Sequence, residues 1–409
     1  MKNTKKIVVT FLILLVVVIF LSQCISTAQK SSDPRGSMFA NETSCRQCHQ
    51  AIYDSAMLSA HFNASAEATP KNVHGSFAIG KNIFTYNDST IVKMENRDSG
   101  MYQVLYINNK EKQAYKFDIV FGKTNAQTYL YWHNDKAYEL PISHFNTAIN
   151  GWATSPGFSA SEPNFYQLID RGCFECHSSF VKQKQNVEVK KGEFFGSPDV
   201  TEVIEKSSLM HGINCQRCHG PAINHVNFHN AYPQIKVANY ITKIDTLNNQ
   251  QRLDMCGLCH SGNDKEKLHS RFNFVPGNLL TSFFMDMPWK NNTNNFDVHG
   301  NQQRLLEQSK CFLKSDKMNC TTCHGAHTGG TSVILQSQKC MGCHSDTKNN
   351  FCTEKTLSTK ILKENCIDCH MPKLASTAID FQESGNAIKS TYFLRTHKIG
   401  LYDTLHSKK

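Results

Sequence analysis

No cysteine lies between Cys48 and Cys173, although the whole chain has 17 cysteines. The gap excludes any site built on cysteine within that stretch. Apolar residues are also in short supply, because hydrophobic side chains make up only 40% of the 409 residues. The length alone would allow two or three ordinary domains. Where the cysteines do occur, they follow one pattern.

The pattern is C-x-x-C-H, and it occurs seven times, which excludes chance. The copies are Cys45-Cys48-His49, Cys173-Cys176-His177, Cys215-Cys218-His219, Cys256-Cys259-His260, Cys320-Cys323-His324, Cys340-Cys343-His344 and Cys366-Cys369-His370.

Three kinds of site use paired cysteines, and the histidine distinguishes them. Zinc needs two cysteine pairs, or a pair plus histidines at another spacing, and an odd number of pairs partners badly. A disulfide is indifferent to the residue that follows. A c-type haem needs two thioether bonds and then an imidazole under the iron. The sequence therefore predicts seven covalently attached haems c.

The N-terminus resembles an export signal. Lys2, Lys5 and Lys6 precede an apolar run from Ile7 to Leu21, and Cys24 follows shortly afterwards. Such a pattern predicts a lipoprotein signal with Cys24 acylated, although Gln23 departs from the usual small residue. An uncleaved helical anchor is the alternative. Both place the protein outside the cytoplasm, in the periplasm or cell envelope, and tether it to the membrane.

The basic charge does not indicate nucleic-acid binding. The formal net charge is +10, and removal of residues 1–23 takes away three lysines and no acids, which leaves +7. Seven haems would add up to 14 propionates, so the sum is 7 − 14 = −7 with reduced centres and about 0 with oxidised ones. The basic residues are better explained as propionate partners. The haem faces are expected to replace much of the conventional core.

The cysteine-free stretch predicts β-structure. In "AYKFDIVFG" the residues Tyr115, Phe117, Ile119 and Phe121 alternate with other positions, which predicts one strand with one apolar face. Turn signals recur at Asn87-Asp88, Asp98-Ser99-Gly100, Asn108-Asn109, Gly122 and Asn134-Asp135. We expect an antiparallel meander of about five strands that carries no haem. It would either cover the first haem or recognise a partner protein.

Each predicted haem needs a second axial ligand or a vacancy. Twelve histidines lie outside the motifs, so histidine is favoured over methionine. The preferred distal ligands are His61, His211, His225, His299, His327 and His397, with His74 or His269 as the seventh. The other four are His133, His144, His229 and His406.

Chain length limits which iron two of these histidines can reach. His327 follows His324 by three residues, which span at most about 10 Å and cannot pass around a porphyrin. His225 follows His219 by six residues, or roughly 20 Å, which also favours a neighbouring haem. If His327 and His225 are ligands, each binds the iron of a haem next to the one attached at the preceding motif. The short spacing of the last three motifs predicts close contact there too.

Several segments together resemble the exported multihaem cytochromes related to the tetrahaem acceptor of hydroxylamine oxidoreductase. They are "SCRQCHQAIYDSAMLSAH", "GINCQRCHGPAINH", "FDVHGNQQRLLEQSKC", "CTTCHGAHT", "CIDCHMP" and "LRTHKIGLYD", within residues 42–403. The resemblance implies axial roles for the same six distal histidines, a fold with little regular structure, and electron transfer.

The predicted fold class is a multihaem cytochrome c with mainly short α-helices and loops around stacked haems and an inserted antiparallel β module. The predicted segments are an export signal (1–24), a flexible linker (25–41), a first haem segment (42–74), the haem-free β-rich module (75–150) and a six-haem segment (151–409).

Two functions are consistent with these patterns. The first is a carrier of single electrons between redox partner proteins. The second is a reductase or oxidoreductase of a small nitrogen or sulfur compound at one haem with an open axial site. Related nitrite and tetrathionate reductases mark the active haem with C-x-x-C-K, which this chain lacks. The carrier is therefore preferred and no catalytic residue is assigned.

Two further cysteines, Cys311 and Cys352, lie outside the motifs. In an oxidising compartment they predict a disulfide that encloses two motifs. Thiolate ligation of a haem is the alternative.

Overall fold

The computed structural model describes residues 31–187, 200–262, 264–285, 295–328, 332–345, 351–386 and 388–402. Two compact units divide the chain. One consists of Met1–Ser44 and Pro221–Ile241, and the other of Cys45–Gly220 and Thr242–Lys409. All seven motifs belong to the second unit. The predicted signal, Cys24 and His406 lie outside the described residues.

The helices are short. They are α1 Arg46–Ala56, α2 Arg171–His177, α3 Cys215–His219, α4 Ile223–Ala231, α5 Asn249–His260, α6 Gln302–Glu307, α7 Lys310–Leu313, α8 Val333–Met341, α9 Thr359–Glu364 and α10 Cys366–His370. Single 3₁₀ turns span Glu42–Cys45, Ile244–Thr246, Arg271–Asn273, Leu280–Ser282 and Cys320–Thr322.

The strands are antiparallel. They are β1 Ser65–Glu67, β2 Ile83–Asn87, β3 Thr90–Arg97, β4 Gly100–Ile107, β5 Lys110–Lys116, β6 Ile119–Phe121, β7 Ala126–His133, β8 Lys136–Glu139, β9 Ile142–Phe145, β10 Gly151–Thr154, β11 Gln167–Ile169, β12 Ser178–Val187, β13 Val200–His211, β14 Glu266–Lys267, β15 Phe284–Met285, β16 Lys373–Phe381 and β17 Ser390–Arg395.

The β module contains two sheets. Strands β2 to β5 form a meander in sequence order, and a seven-stranded sheet has the order β1-β6-β7-β8-β11, with β9 paired to β7 and β10. The predicted turns join these strands, and Asn108, Asn109 and Asn134 have the positive φ that tight hairpins need. The sheets use more strands than the five expected, and β1, β10 and β11 extend them beyond residues 75–150.

The prediction of one continuous strand through "AYKFDIVFG" is wrong. The chain leaves β5 at Lys116 and enters β6 at Ile119, so it changes sheets in between. Phe117 packs in the core between the two sheets, whereas Ile119 and Phe121 pack in a second core. All three side chains are buried because two different layers cover them, which an alternating pattern does not reveal.

The second core joins the β module to the second motif. Phe121 stacks on the ring of His177 with 4.8 Å between ring centres, and it meets the edge of Phe174 at 5.2 Å. The Ser65 hydroxyl donates to the His177 carbonyl over 2.6 Å. The module thus packs on the second motif, because β6 and α2 share this core.

Residues after 150 contain more strand than expected. The hairpins β12–β13 and β14–β15 lie between short helices and β16–β17 follows the last helix, so the fold is mixed rather than mainly helical. The β12–β13 hairpin begins directly after His177 and ends at His211. It is thus a regular element that places a predicted proximal and a predicted distal histidine at the same end.

The smaller unit has its own apolar cluster of Ala40, Ala222 and Ile223, all buried. The Ile223 amide, at the start of α4, donates to the Met38 carbonyl over 3.1 Å. Within the described ranges, no helix is both long enough and apolar enough to cross a membrane.

Candidate haem-binding site

Most motifs form one helical turn that ends at the motif histidine. Helices α2, α3, α5 and α10 each end at that residue. Because residues i and i+3 share a helix face, the two cysteines of such a turn project to the same side. In α1 the backbone of His49 departs from helical values, with φ −115° and ψ 38°. Each turn therefore presents two sulfurs and one imidazole together.

Three motif histidines face a histidine from elsewhere in the chain. The ring centres of His219 and His327 are 5.9 Å apart, those of His324 and His397 are 6.1 Å apart, and those of His260 and His61 are 6.2 Å apart. All three partners belong to the predicted set of distal ligands. His327 lies opposite His219 of the third motif. It does not face His324 of the fifth motif, which precedes it by only three residues.

The separation of these rings matches two ligands of one metal ion. A metal–imidazole bond is about 2.0–2.1 Å long, so imidazoles on opposite sides of one ion have ring centres roughly 6 Å apart. The interplanar angles are 11°, 31° and 74°. Rotation of an imidazole about the metal–nitrogen axis allows any of these angles. Direct ring packing does not require the same separation three times.

The hydrogen bonds of several imidazoles fix their tautomers. Nδ1 of His177 lies 3.2 Å from the Ala64 carbonyl oxygen, and Nδ1 of His370 lies 2.8 Å from the Gly400 carbonyl oxygen. Since a carbonyl oxygen only accepts, Nδ1 carries the proton and Nε2 keeps its lone pair. Metal-ligating histidines usually have such a partner on the second nitrogen.

Burial keeps the clustered imidazoles neutral, which metal ligation also requires. It lowers the pKa of His397 to about 4. Burial also lowers the pKa of six others, namely His61, His177, His211, His260, His299 and His324. After burial and a hydrogen bond to Ala64, the charge of His299 is the next influence on the His177 pKa. His299 is thus a non-motif histidine that lies near the ring of His177.

The remaining expected ligands differ in their surroundings. His211 is half-buried at the end of β13. In the smaller unit, His225 donates from Nδ1 to the Asn239 carbonyl over 2.7 Å. His74 and His269 are both exposed. His74 accepts from the Asn146 amide at Nδ1, and His269 meets the edge of Phe283, so neither resembles the paired histidines.

Sequence reasoning gave no role to His229. Its Nδ1 donates to the Ile235 carbonyl over 3.1 Å, and its Nε2 is buried with no hydrogen-bond partner. Because Nδ1 carries the proton, Nε2 keeps its lone pair. The available signal was its spacing of four residues from His225, which places both imidazoles on one face of α4.

Cysteines of different motifs touch. Cys176 donates to Cys259, Cys256 donates to Cys320, and Cys340 donates to Cys366. These contacts join the second motif to the fourth, the fourth to the fifth, and the sixth to the seventh. Cys323 and Cys343 also interact electrostatically, which links the fifth motif to the sixth. Five of the seven motifs are thus linked in one continuous series.

Apolar side chains near the motifs are exposed. Leu58 and Leu313 are each 71% exposed, and Leu335 beside Cys323 is 51% exposed. Within the described residues from 295 onward, the buried apolar side chains are Val298, Leu305, Leu306, Phe381 and Tyr392. The sheets have fourteen in a single cluster. This part of the fold fits a large apolar group that completes its core.

One cavity with a volume of about 330 Å³ is lined by Cys323, Leu335 and Lys339 together with two glutamines. Pockets for cofactors and other small molecules typically measure about 300–1,000 Å³. The lining combines a predicted attachment cysteine, an apolar side chain and a cation, which suits a haem edge with a propionate.

Alternatives based on cysteine alone find little support. Among the described residues, no group of three or more His, Cys, Asp or Glu side chains is arranged to hold a metal ion unaided. Cys311 and Cys352 are free thiols, so the expected disulfide is not formed in this structure. Burial raises the pKa of Cys311, and the nearby Cys343 raises it further.

Comparisons with known proteins give distant similarities. No protein-family model and no curated protein matches the chain. Among solved structures, the outer cell wall cytochrome OcwA is 14% identical with a TM-score of 0.48, and the match covers 89% of this chain and 80% of that one. The undecahaem cytochrome from the S-layer of Carboxydothermus ferrireducens is 15% identical with a TM-score of 0.39.

The second match covers 91% of this chain, which spans 58% of the length of that cytochrome. Because both TM-scores are below 0.5, the haem assignment depends on the residues of this chain.

Glu139, near Cys173 of the second motif, should make the stability of the protein depend on pH. Burial, then the charges of Asp170 and Glu139, raise the pKa of Cys173 to about 12. Burial also raises the pKa of Glu139 itself, from 4.5 to about 8. Over that pH range the folded protein binds a proton that the unfolded chain has released, so stability falls as the pH rises.

We expect Glu139→Gln to flatten this decline and to be more stable than the wild type above about pH 8. Urea unfolding at several pH values measures the free energy of unfolding of both proteins. Glu162→Gln, at an exposed position, is the control. A decline of the same slope in Glu139→Gln would contradict the assignment.

Proposed function

We propose that this protein is a c-type cytochrome with seven covalent haems that carries single electrons through a series of mostly bis-histidine centres. The observation that carries the proposal is the recurrence of about 6 Å between a motif imidazole and a non-motif imidazole in three pairs. Bound haem supplies iron that alternates between its ferrous and ferric states. Two imidazoles per iron favour a low-spin centre with no vacant site.

We infer axial partners for four of the seven motifs. We infer that His327 serves the haem of His219, His61 that of His260, and His397 that of His324. For the haem of His177 we propose His299, because it lies near enough to influence the His177 imidazole. The other proposed distal ligands are His211 and His225, with His229 as a further candidate beside His225.

The contacts between cysteines support a path for electrons. Haems attached to touching cysteines would lie side by side, which would join the second to the fourth, the fourth to the fifth, and the sixth to the seventh. The electrostatic interaction of Cys323 with Cys343 would bring the fifth near the sixth. Cys218 interacts electrostatically with both Cys256 and Cys259, which brings the third motif to the fourth. A series of neighbouring one-electron centres suits a carrier better than an isolated active site.

We further infer export to the periplasm or cell envelope and attachment to the membrane through Cys24 or an uncleaved helix. Attachment of haem to C-x-x-C-H and an export signal require the same compartment. The partners would be a redox donor protein and a redox acceptor protein, and no nucleic acid. Basic side chains such as Lys339 would pair with propionates.

Removal of a distal histidine tests the ligand pairs. We expect His327→Ala to convert one haem from low spin to high spin and to create one carbon monoxide site per molecule, because the iron loses its sixth ligand. His61→Ala and His397→Ala should do the same at other haems. Electron paramagnetic resonance and carbon monoxide titration of the reduced protein measure both effects.

The matched control is His269→Ala, which removes an exposed histidine that meets Phe283. Its spectrum should equal that of the wild type. If His327→Ala retains seven haems and shows neither high-spin iron nor carbon monoxide binding, the ligand assignment is wrong.

A second function has one observation in its favour. His370 is held through Nδ1 by Gly400, and among the described residues no second imidazole stacks against its ring. An open haem at the seventh motif could reduce a small nitrogen or sulfur compound. This candidate predicts one high-spin haem in the wild-type protein, together with turnover of nitrite or hydroxylamine.

The double variant Cys366→Ala, Cys369→Ala removes the seventh attachment site and should abolish that signal. The same change at Cys215 and Cys218 should leave it intact. An all-low-spin wild-type spectrum without carbon monoxide binding would rule out the enzyme and leave the carrier.

A further inference from the structure

A buried group of charges lies where the second, third and fourth motifs meet. Its only fully buried carboxylate is that of Glu175, which occupies a variable position of the second motif and has no solvent exposure. Ser270 donates to Glu175 Oε1 over 2.6 Å. Glu175 Oε2 lies 3.2 Å from Lys267 Nζ and 3.5 Å from Arg271 Nη1. The carboxylate is thus paired.

Arg217 is a second cation at this junction, and it does not share the Glu175 carboxylate. It occupies a variable position of the third motif and is only 9% exposed. Its Nη1 donates to the Arg271 carbonyl over 2.8 Å, and its Nη2 donates to the Glu175 carbonyl over 2.9 Å. The guanidinium also lies 5.2 Å from the ring centre of Phe272. Among the described residues, no carboxylate lies within 4.0 Å of it.

These bonds connect three motifs. Arg217 belongs to the third motif and binds a carbonyl of the second. Arg271, to whose carbonyl it also donates, donates from Nε to the Leu258 carbonyl in the fourth motif over 2.9 Å. The two carbonyls that accept from Arg217 are neutral, so they leave its positive charge in place. A buried charge of this kind destabilises the fold unless something offsets its cost.

We propose that Arg217 sets reduction potentials: its buried positive charge makes the haems of the second, third and fourth motifs easier to reduce than the others. This inference rests on the proposed haem binding. An oxidised haem centre has one more positive charge than a reduced one, so a nearby cation destabilises the oxidised state. Burial weakens solvent screening and strengthens the effect. Electrons would therefore collect at this junction.

Substitutions of opposite sign provide the test. Arg217→Gln removes a positive charge and should lower the highest midpoint potentials in a spectroelectrochemical titration. Glu175→Gln removes a negative charge and should raise them. Arg217→Lys keeps the charge but loses the planar fork that holds two carbonyls. We expect Arg217→Lys to retain the wild-type potentials, whereas a purely structural role would make it behave like Arg217→Gln.

The control is Arg97→Gln, because Arg97 pairs with Glu95 and Glu111 on the β meander, away from any motif. Its potentials should be unchanged. The haem content of every protein is counted first, so a wild type without seven haems would refute the proposed function rather than this inference.

If Arg217→Gln holds seven haems and its potentials do not fall, the inference is wrong. It is equally wrong if Arg217→Lys shifts the potentials as far as Arg217→Gln. Should Arg217→Gln fail to fold, Glu175→Gln decides: a rise in the highest potentials supports the inference, and an unchanged titration overturns it.

Discussion

One distance recurs in the larger unit, the separation of about 6 Å between paired imidazoles from remote parts of the chain. His61 precedes its partner His260 by about half of the chain, and His397 comes from the last described segment to meet His324. Each pair fixes two segments relative to each other. Shared iron atoms would convert these juxtapositions into bonds, and a chain with few apolar residues would gain its cross-links in this way.

The β module and the cysteine-rich part of the chain differ in how many apolar side chains they bury. The β module has an ordinary core of large buried residues such as Phe84, Phe117 and Tyr129. The helices and hairpins beyond it leave Leu313 and Leu335 exposed beside the motifs. Haem faces would cover such side chains. The two parts of the chain therefore require different sources of stability, which explains why the cysteine-free stretch is the one rich in strands.

Local signals predicted the β meander and three histidines that lie opposite motif histidines. Chain reach was enough to predict that His327 lies away from its neighbour His324, and it lies opposite His219. No sequence pattern indicated which distant residues would pack together. The pattern around Phe117 did not show the change of sheet, and the contact between Phe121 and His177 joins positions with no common motif. Arg217 and Glu175 occupy variable positions of two different motifs. Their contact appears only when the fold brings those motifs together.

The central claim is that seven cysteine pairs each hold one haem, and the intact mass of the purified, denatured protein tests it most directly. Thioether bonds survive denaturation, so we predict the polypeptide mass plus seven haems in a single species. The bare polypeptide mass, or a mass short of seven haems, would contradict the account.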